Sequence, residues 1–308
     1  MSADPPPDPV ASGDRRLVTL AATAALLAIC AAWGSTFFLI HDLLDRIPTL
    51  DFLAVRFALA GVLLLAVAPR AVLRLSPDAR RQAVVLGGLY GVAQILQTAG
   101  LAHTPASVSG FITGMYVVAT PLFAAVLLRN RITRTTWLAV LLAAAGLAVL
   151  TLQGFSVGYG EALTLVAAML YALHIVGLGA WSNARDALGM SILQVVMVAV
   201  ICLVASAPHG IVLPDNGEDW LSVVYMAVFP AALALLGQTW AQAHLSATRT
   251  AIVMSMEPVF AALFAVLLGG ESVTLRMLVG GLMVLAAMLT VELTPRRKVE
   301  GEVPHIAV

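Results

Sequence analysis

Long apolar stretches, separated by short polar breaks, run the length of this chain. In order they fall near 18–40, 49–69, 81–102, 105–128, 135–152, 159–181, 188–206, 219–243, 248–268 and 273–293. A helix needs about 20 mostly apolar residues to cross the hydrocarbon core of a bilayer. The pattern therefore predicts an all-α integral membrane protein with ten transmembrane helices. Most connections are only a few residues long, which leaves no room for a soluble domain.

The ends read differently. Residues 1–16 carry Pro5, Pro6, Pro7 and Pro9 with three aspartates, too polar and proline-rich to pack, and read as a disordered tail. Residues 294–308 read as a second polar tail. The run from Val18 to Ile40 is too long for a signal-peptide core and lacks a convincing cleavage site, so it reads as a retained first span.

Composition agrees with this class. Hydrophobic residues make up 60% of the chain and charged residues 11%, with a mean hydropathy of +0.95, against about 25% charged in soluble domains. A formal net charge of zero leaves no basic surface for nucleic acid. Cys30 and Cys202 fall inside apolar runs and read as small core residues, not as a disulfide.

The arginines and lysines set an orientation, because cytoplasmic loops carry their excess. With the N-terminus inside, the cytoplasmic side holds Arg15, Arg16, Arg70, Arg74, Arg80, Arg81, Arg129, Arg131, Arg134, Arg185, Arg249, Arg296, Arg297 and Lys298. The outside then holds Arg46 and Arg276, together with the acidic loop of Asp215, Glu218 and Asp219. Both termini are expected to be cytoplasmic in a multi-pass protein of the plasma or inner membrane.

The chain also repeats itself. Gln97-Thr98 recurs as Gln238-Thr239 and Ala102-His103 as Ala243-His244, an offset of 141 residues. Continued without gaps, the offset pairs Met115 with Met256, Val118 with Val259, Phe123-Ala124 with Phe264-Ala265 and Thr133 with Thr274. It divides the chain into a first repeat over 17–152 and a second over 159–293. Five spans per half is an odd number, so the second half is expected upside down relative to the first. Inverted repeats of this kind mark secondary transporters, whose substrate sites lie near the midplane between the halves.

Polar groups inside the spans are the candidates for chemistry. Glu257 stands near the middle of the ninth run, where a carboxylate costs on the order of 3 kcal/mol by insertion scales and so points to a polar pathway or a partner. Pro258 beside it lacks an N–H, which frees the carbonyl of Met254 and invites a kink. Together they are the candidate coupling or gating pair; a single structural hydrogen bond would also hold the acid.

Arg56 in the second span suits an anionic group, with snorkelling or pairing with Asp51 as the blander fate. Gln94 and Gln97 share one face of the third span, suited to a polar lining or to interhelical hydrogen bonds. His174, with Tyr171 one turn earlier, suits a proton relay or a packed core position. Trp33 and Trp240 could each stack on a solute; Trp240 lies nearer an interface, where aromatic belts form, and Trp33, deeper in its span, is the better candidate. The offset maps Glu257 onto Tyr116, which should lie at a similar depth and offer a phenol. Gly87/Gly91 and Gly110/Gly114 read as close helix contacts, and Pro121 and Pro230 as kinks in the fourth and eighth spans.

Some classes lack their motifs. No G-x-x-x-x-G-K-[ST] loop is present for ATP-driven pumping, and no H-E-x-x-H or Cys/His cluster for a zinc protease. Neither a cofactor nor a metal is expected, and nothing indicates an oligomeric state. A carrier, an intramembrane enzyme of unknown reaction, and a receptor or scaffold stay open on these residues alone.

The segment A-A-W-G-S-T-F-F from Ala31 to Phe38, the Arg56-Phe57 pair, and E-P-V-F from Glu257 with L-L-G-G-E ending at Glu271 and a Gly-rich last span resemble the EamA domains of the drug/metabolite transporter superfamily. The likeness covers residues 18 to 293. It implies a ten-helix carrier of small organic solutes, often an exporter, with a central cavity between two five-helix repeats. The first half departs from the pattern at Asn130, which stands where the second half has Glu271.

Overall fold

The computed structural model describes residues 9–127, 134–151, 158–245, 250 and 253–293. Every regular element among them is helical. The first half holds α1 (Pro9–Leu43), α2 (Thr49–Val67), α3 (Pro77–Leu101), α4 (Ala106–Thr113), α5 (Met115–Leu127) and α6 (Arg134–Thr151). The second holds α7 (Tyr159–Trp181), α8 (Ala187–Ser206), α9 (Gly217–Met226), a π-helical turn (Ala227–Leu233), α10 (Ala234–Gln242), α11 (Glu257–Leu267) and α12 (Leu275–Leu293).

Polar residues at the ends of the runs set the helix starts. The Ser76 hydroxyl accepts from the Ala79 amide at 3.1 Å, with Pro77 in the first turn, and so starts α3. The Asn216 side chain accepts from the Asp219 amide at 2.9 Å and starts α9. Both caps satisfy N–H groups that a helix start otherwise leaves unpaired.

Among the described residues, seven helical segments are long and apolar enough to cross a membrane: Leu17–Leu43, Thr49–Val67, Pro77–Leu101, Ala106–Leu127, Tyr159–Trp181, Ala187–His209 and Gly217–Gln242. Shorter apolar helices, Trp137–Leu150, Glu257–Leu267 and Leu275–Thr290, accompany them. Large side chains such as Val67, Leu138, Leu221 and Leu282 stand exposed. In water such patches are liabilities; against lipid tails they are what a spanning helix requires. The chain is a multi-pass membrane protein.

Three local expectations need correction. Residues 9–16, expected in the disordered tail, continue α1 as helix, because adding turns to a formed helix is far cheaper than nucleating one; residues 1–8 and the expected tail at 294–308 lie outside the described residues. The fourth run is interrupted at Gly114, between α4 and α5, while Pro121 sits inside α5. At the junction the Val117 amide donates to the Gly114 carbonyl at 3.0 Å, a tighter turn than α-helix. Around Pro230 the chain forms a full π-helical turn, not a simple kink.

The long-range packing joins the halves. α3 lies against α7 and α8, α2 against α8, α6 against α12, α1 against α10 and α11, and α4 against α11. Small residues make the closest of these approaches: a Cβ on Gly110 would lie 2.5 Å from the Ala261 Cβ, and one on Gly87 would lie 2.8 Å from the Met197 Cβ. Packing of this kind replaces the hydrophobic drive that lipid does not supply between helices.

Polar links also join the halves, three of them at helix ends and loops. Arg46 forms two hydrogen bonds to the Asp219 carboxylate, at 2.7 and 3.1 Å. Hydrogen bonds donated to Asp219 and then to Asp42 hold the Arg46 guanidinium protonated above even its ordinary high range. The Asp51 carboxylate accepts from the Val212 amide at 3.1 Å. Glu271 reaches the start of α4, accepting from the Ser107 amide at 3.3 Å and from the Ser107 hydroxyl, which satisfies an N–H left open by the helix start.

Candidate functional site

The polar residues within the spans converge. A cavity opens within the bundle, and Trp33, Arg56, Gln94, Gln97, Tyr116, Tyr171, His174 and Glu257 all line it. They come from α1, α2, α3, α5, α7 and α11, so both halves contribute.

Glu257 is the first residue of α11, and Pro258 follows within its first turn. Residues 255 and 256 form a turn, so the chain breaks its helix here instead of bending it. A helix start is where a proline costs least. Pro258 is buried and is not part of the cavity wall. The phenol of Tyr116 lies 2.7 Å from Glu257 Oε2 and 3.1 Å from the carbonyl of Met254, the acceptor that Pro258 leaves without a helical donor.

Arg56 uses the second proline in the same way. Its Nε donates at 3.2 Å to the carbonyl of Met226, which loses its α-helical donor at Pro230. The rings of Phe52 and Phe57 lie 5.9 and 5.2 Å from the guanidinium carbon, within cation–π reach. The blander pairing with Asp51 does not occur, because Asp51 is taken by the Val212 amide. Among the described residues no carboxylate lies within ion-pair distance of Arg56, and no cation lies within that distance of Glu257. The cavity is therefore bordered by a buried cation and a buried carboxyl group that do not pair with each other.

The remaining lining groups are tightly held. Gln94 Nε2 donates to the Tyr171 hydroxyl at 2.8 Å, which donates to Gln97 Oε1 at 2.7 Å; Gln97 Nε2 in turn donates to the Thr113 hydroxyl at 3.0 Å. His174 Nε2 lies 2.8 Å from Gln194 Oε1, and Gln194 Nε2 donates to the Met190 carbonyl at 3.2 Å. With its amide nitrogen so used, Gln194 presents an acceptor, to which His174 Nε2 donates. Tyr90 packs between these groups, its ring 5.1 Å from His174 and 5.7 Å from Tyr171. Trp33 Nε1 donates to the Pro230 carbonyl at 2.8 Å, which leaves the ring as a cavity wall.

Trp240 is not at the cavity. Its ring packs 4.9 Å from His244 and against the small cluster of Ala22, Leu26 and Ile29. The cavity also takes residues that the sequence reading did not select, among them Tyr90, Thr113, Met254 and Gln238. Gln238 was legible through the 141-residue offset from Gln97. Tyr90 carried no such signal. Among the described residues no group of three or more metal-ligating side chains is present.

An apolar helical bundle around an interior cavity with charged and aromatic walls defines a multi-pass membrane protein with a polar interior site. The chain belongs to the EamA-like transporter family, whose profile matches it twice, over residues 20–152 and 158–293. An uncharacterized transporter of Archaeoglobus fulgidus is 27% identical over 292 residues, covering 92% of this chain and 88% of its own. The Escherichia coli K12 protein YedA, described as an uncharacterized inner membrane transporter, is 27% identical over 274 residues, covering 86% of this chain and 89% of its own. One crystal structure shares the fold with a TM-score of 0.66 at 19% identity, covering 89% of this chain and 96% of that one.

Proposed function

We propose that this protein is a secondary transporter, not driven by ATP, that carries small organic metabolites or drugs by alternating access through the cavity between its halves. The observation that carries this reading is the shared placement of Arg56 and Glu257: two buried ionisable groups, unpaired with each other, line one cavity. Burying charge without a partner is costly, and a solute that supplies the missing partners offsets that cost. Arg56 holds an anionic group, while Glu257 holds a basic group or a coupling proton. Trp33, Tyr116, Tyr171 and His174 flank the body of the solute, with Gln94 and Gln97 behind Tyr171. Glu257, set in place by Pro258, is the coupling or gating residue.

The architecture in this reading is ten transmembrane helices in two inverted five-helix repeats, 17–152 and 159–293. The double family match supports it, as does the packing. Under the 141-residue offset, the contact of α2 with α8 and that of α6 with α12 each map onto themselves, and the contact of α3 with α7 maps onto that of α10 with α1. Export is the direction proposed, and both termini lie in the cytoplasm.

The test begins with a thermal-shift screen of the purified protein against amino acids, nucleosides, sugars and organic cations. A bound solute raises stability by about 2.7 kcal/mol at a hundredfold excess over its dissociation constant. Each hit is then measured for flux in proteoliposomes with and without a pH gradient. Flux that saturates and needs no ATP is expected; binding without any flux would remove the transport reading.

A further inference from the structure

Gln97 and Gln238 occupy the same place in the repeat, each opening a Gln-Thr pair, and both line the cavity. Their surroundings differ. In the first half, Gln97 belongs to a closed network with Gln94, Tyr171 and Thr113, and both ends of its amide are used. The 141-residue offset maps those three partners onto Leu235, Cys30 and Met254. All three are poor hydrogen-bonding residues, and the Cys30 thiol is directed to the Val253 carbonyl at 3.5 Å. The second half has lost the network and kept the amide.

Gln238 is accordingly left open. It is 2% exposed, and its Oε1 is buried with no hydrogen-bond partner among the described residues. Leaving a buried amide oxygen unpaired is unfavourable, while an apolar side chain of similar shape at such a site is tolerated or better. An amide that holds nothing together and borders a solute cavity fits a group that meets the solute.

Resting on the transporter reading above, we propose that Gln238 is a specificity-determining residue that reads an uncharged carboxamide or lactam edge of the carried solute. A glutamine amide presents an acceptor and a donor side by side, and a carboxamide or lactam offers the complementary donor and acceptor. Arg56 and Glu257 serve charged ends, which leaves Gln238 for a neutral polar group. Turning its amide over exchanges the two atoms and preserves the match.

The experiment uses the full-length protein in detergent with benzamide as the probe and N,N-dimethylbenzamide as the control that lacks N–H donors. Benzamide should raise the melting temperature of the native protein and the control should not. Gln238→Met should melt at or above the native temperature without ligand, and should weaken the benzamide response by at least about tenfold in concentration. Gln97→Met should melt lower, because its network is structural. The proposal is overturned if Gln238→Met alone destabilises the protein, if its benzamide response matches the native one, or if benzamide and its dimethyl analogue act alike on the native chain. Because the readout is binding, its result is separable from transport. A Gln238-dependent response in a protein without flux would keep this inference and remove the carrier.

Discussion

Tyr116 donates its phenolic hydrogen to Glu257 Oε2 at 2.7 Å across a sequence separation of 141 residues, which is also the offset at which the chain repeats. Two residues that correspond under a two-fold relation and also touch each other sit beside the axis of that relation. In the reading proposed here, the axis between the repeats passes through this hydrogen bond. The bond therefore lies where a movement of one half against the other is centred.

Glu257→Gln tests the coupling role. The amide carbonyl still accepts from Tyr116, so the variant should melt close to the native temperature. Its flux in proteoliposomes should lose the dependence on pH that an ionisable group confers. An unchanged pH profile would reduce Glu257 to a structural residue.

Tyr116→Phe removes one donor and leaves two buried acceptors, the Glu257 carboxyl and the Met254 carbonyl, without it. Loss of a buried hydrogen bond with stranded partners costs about 1–3 kcal/mol. Equilibrium unfolding in detergent should show a loss of this size, and a stability equal to native would mean that the two acceptors find other donors.

Arg56→Leu should separate function from stability. The guanidinium is 2% exposed and has no ion-pair partner among the described residues. Replacing a buried charge that lacks an ion-pair partner with an apolar side chain removes its desolvation cost, which offsets the loss of the hydrogen bond to the Met226 carbonyl. The variant should melt no lower than the native protein and should bind anionic solutes found in the screen more weakly. A large drop in melting temperature with unaltered binding would assign Arg56 to the scaffold.

Orientation is tested at Glu218, which is exposed beside the Asn216 cap of α9. Cys30 and Cys202 are buried, so a Glu218→Cys protein carries one accessible thiol. A membrane-impermeant maleimide should label it in intact cells. Labelling that appears only in inverted vesicles would reverse the proposed topology.

Gly110→Val places a branched side chain where even a Cβ would lie 2.5 Å from the Ala261 Cβ. Overpacking of a well-packed contact costs typically about 1–3 kcal/mol. The melting temperature should fall, and restoring space opposite with Ala261→Gly should recover part of it.

Much of this protein was legible without its tertiary structure, because partition into a bilayer depends on what each residue is and not on which neighbour it meets. That is why the apolar runs, the membrane class and the internal repeat emerge from the chain alone. The same argument singled out Arg56, Gln94, Gln97, His174 and Glu257: a polar residue is expensive in lipid, so the fold turns it inward, and all five line the cavity. Tertiary structure decided everything that depends on a partner from the other half. It gave Asp51 to a loop amide instead of Arg56. It assigned the carbonyls freed by Pro230 and Pro258 to Arg56 and Tyr116. It also distinguished Gln97 from Gln238, which are identical in the sequence repeat. Hydrogen bonding is directional and reaches about 3 Å, so these choices rest on contacts between residues far apart in the chain, and no local pattern encodes them.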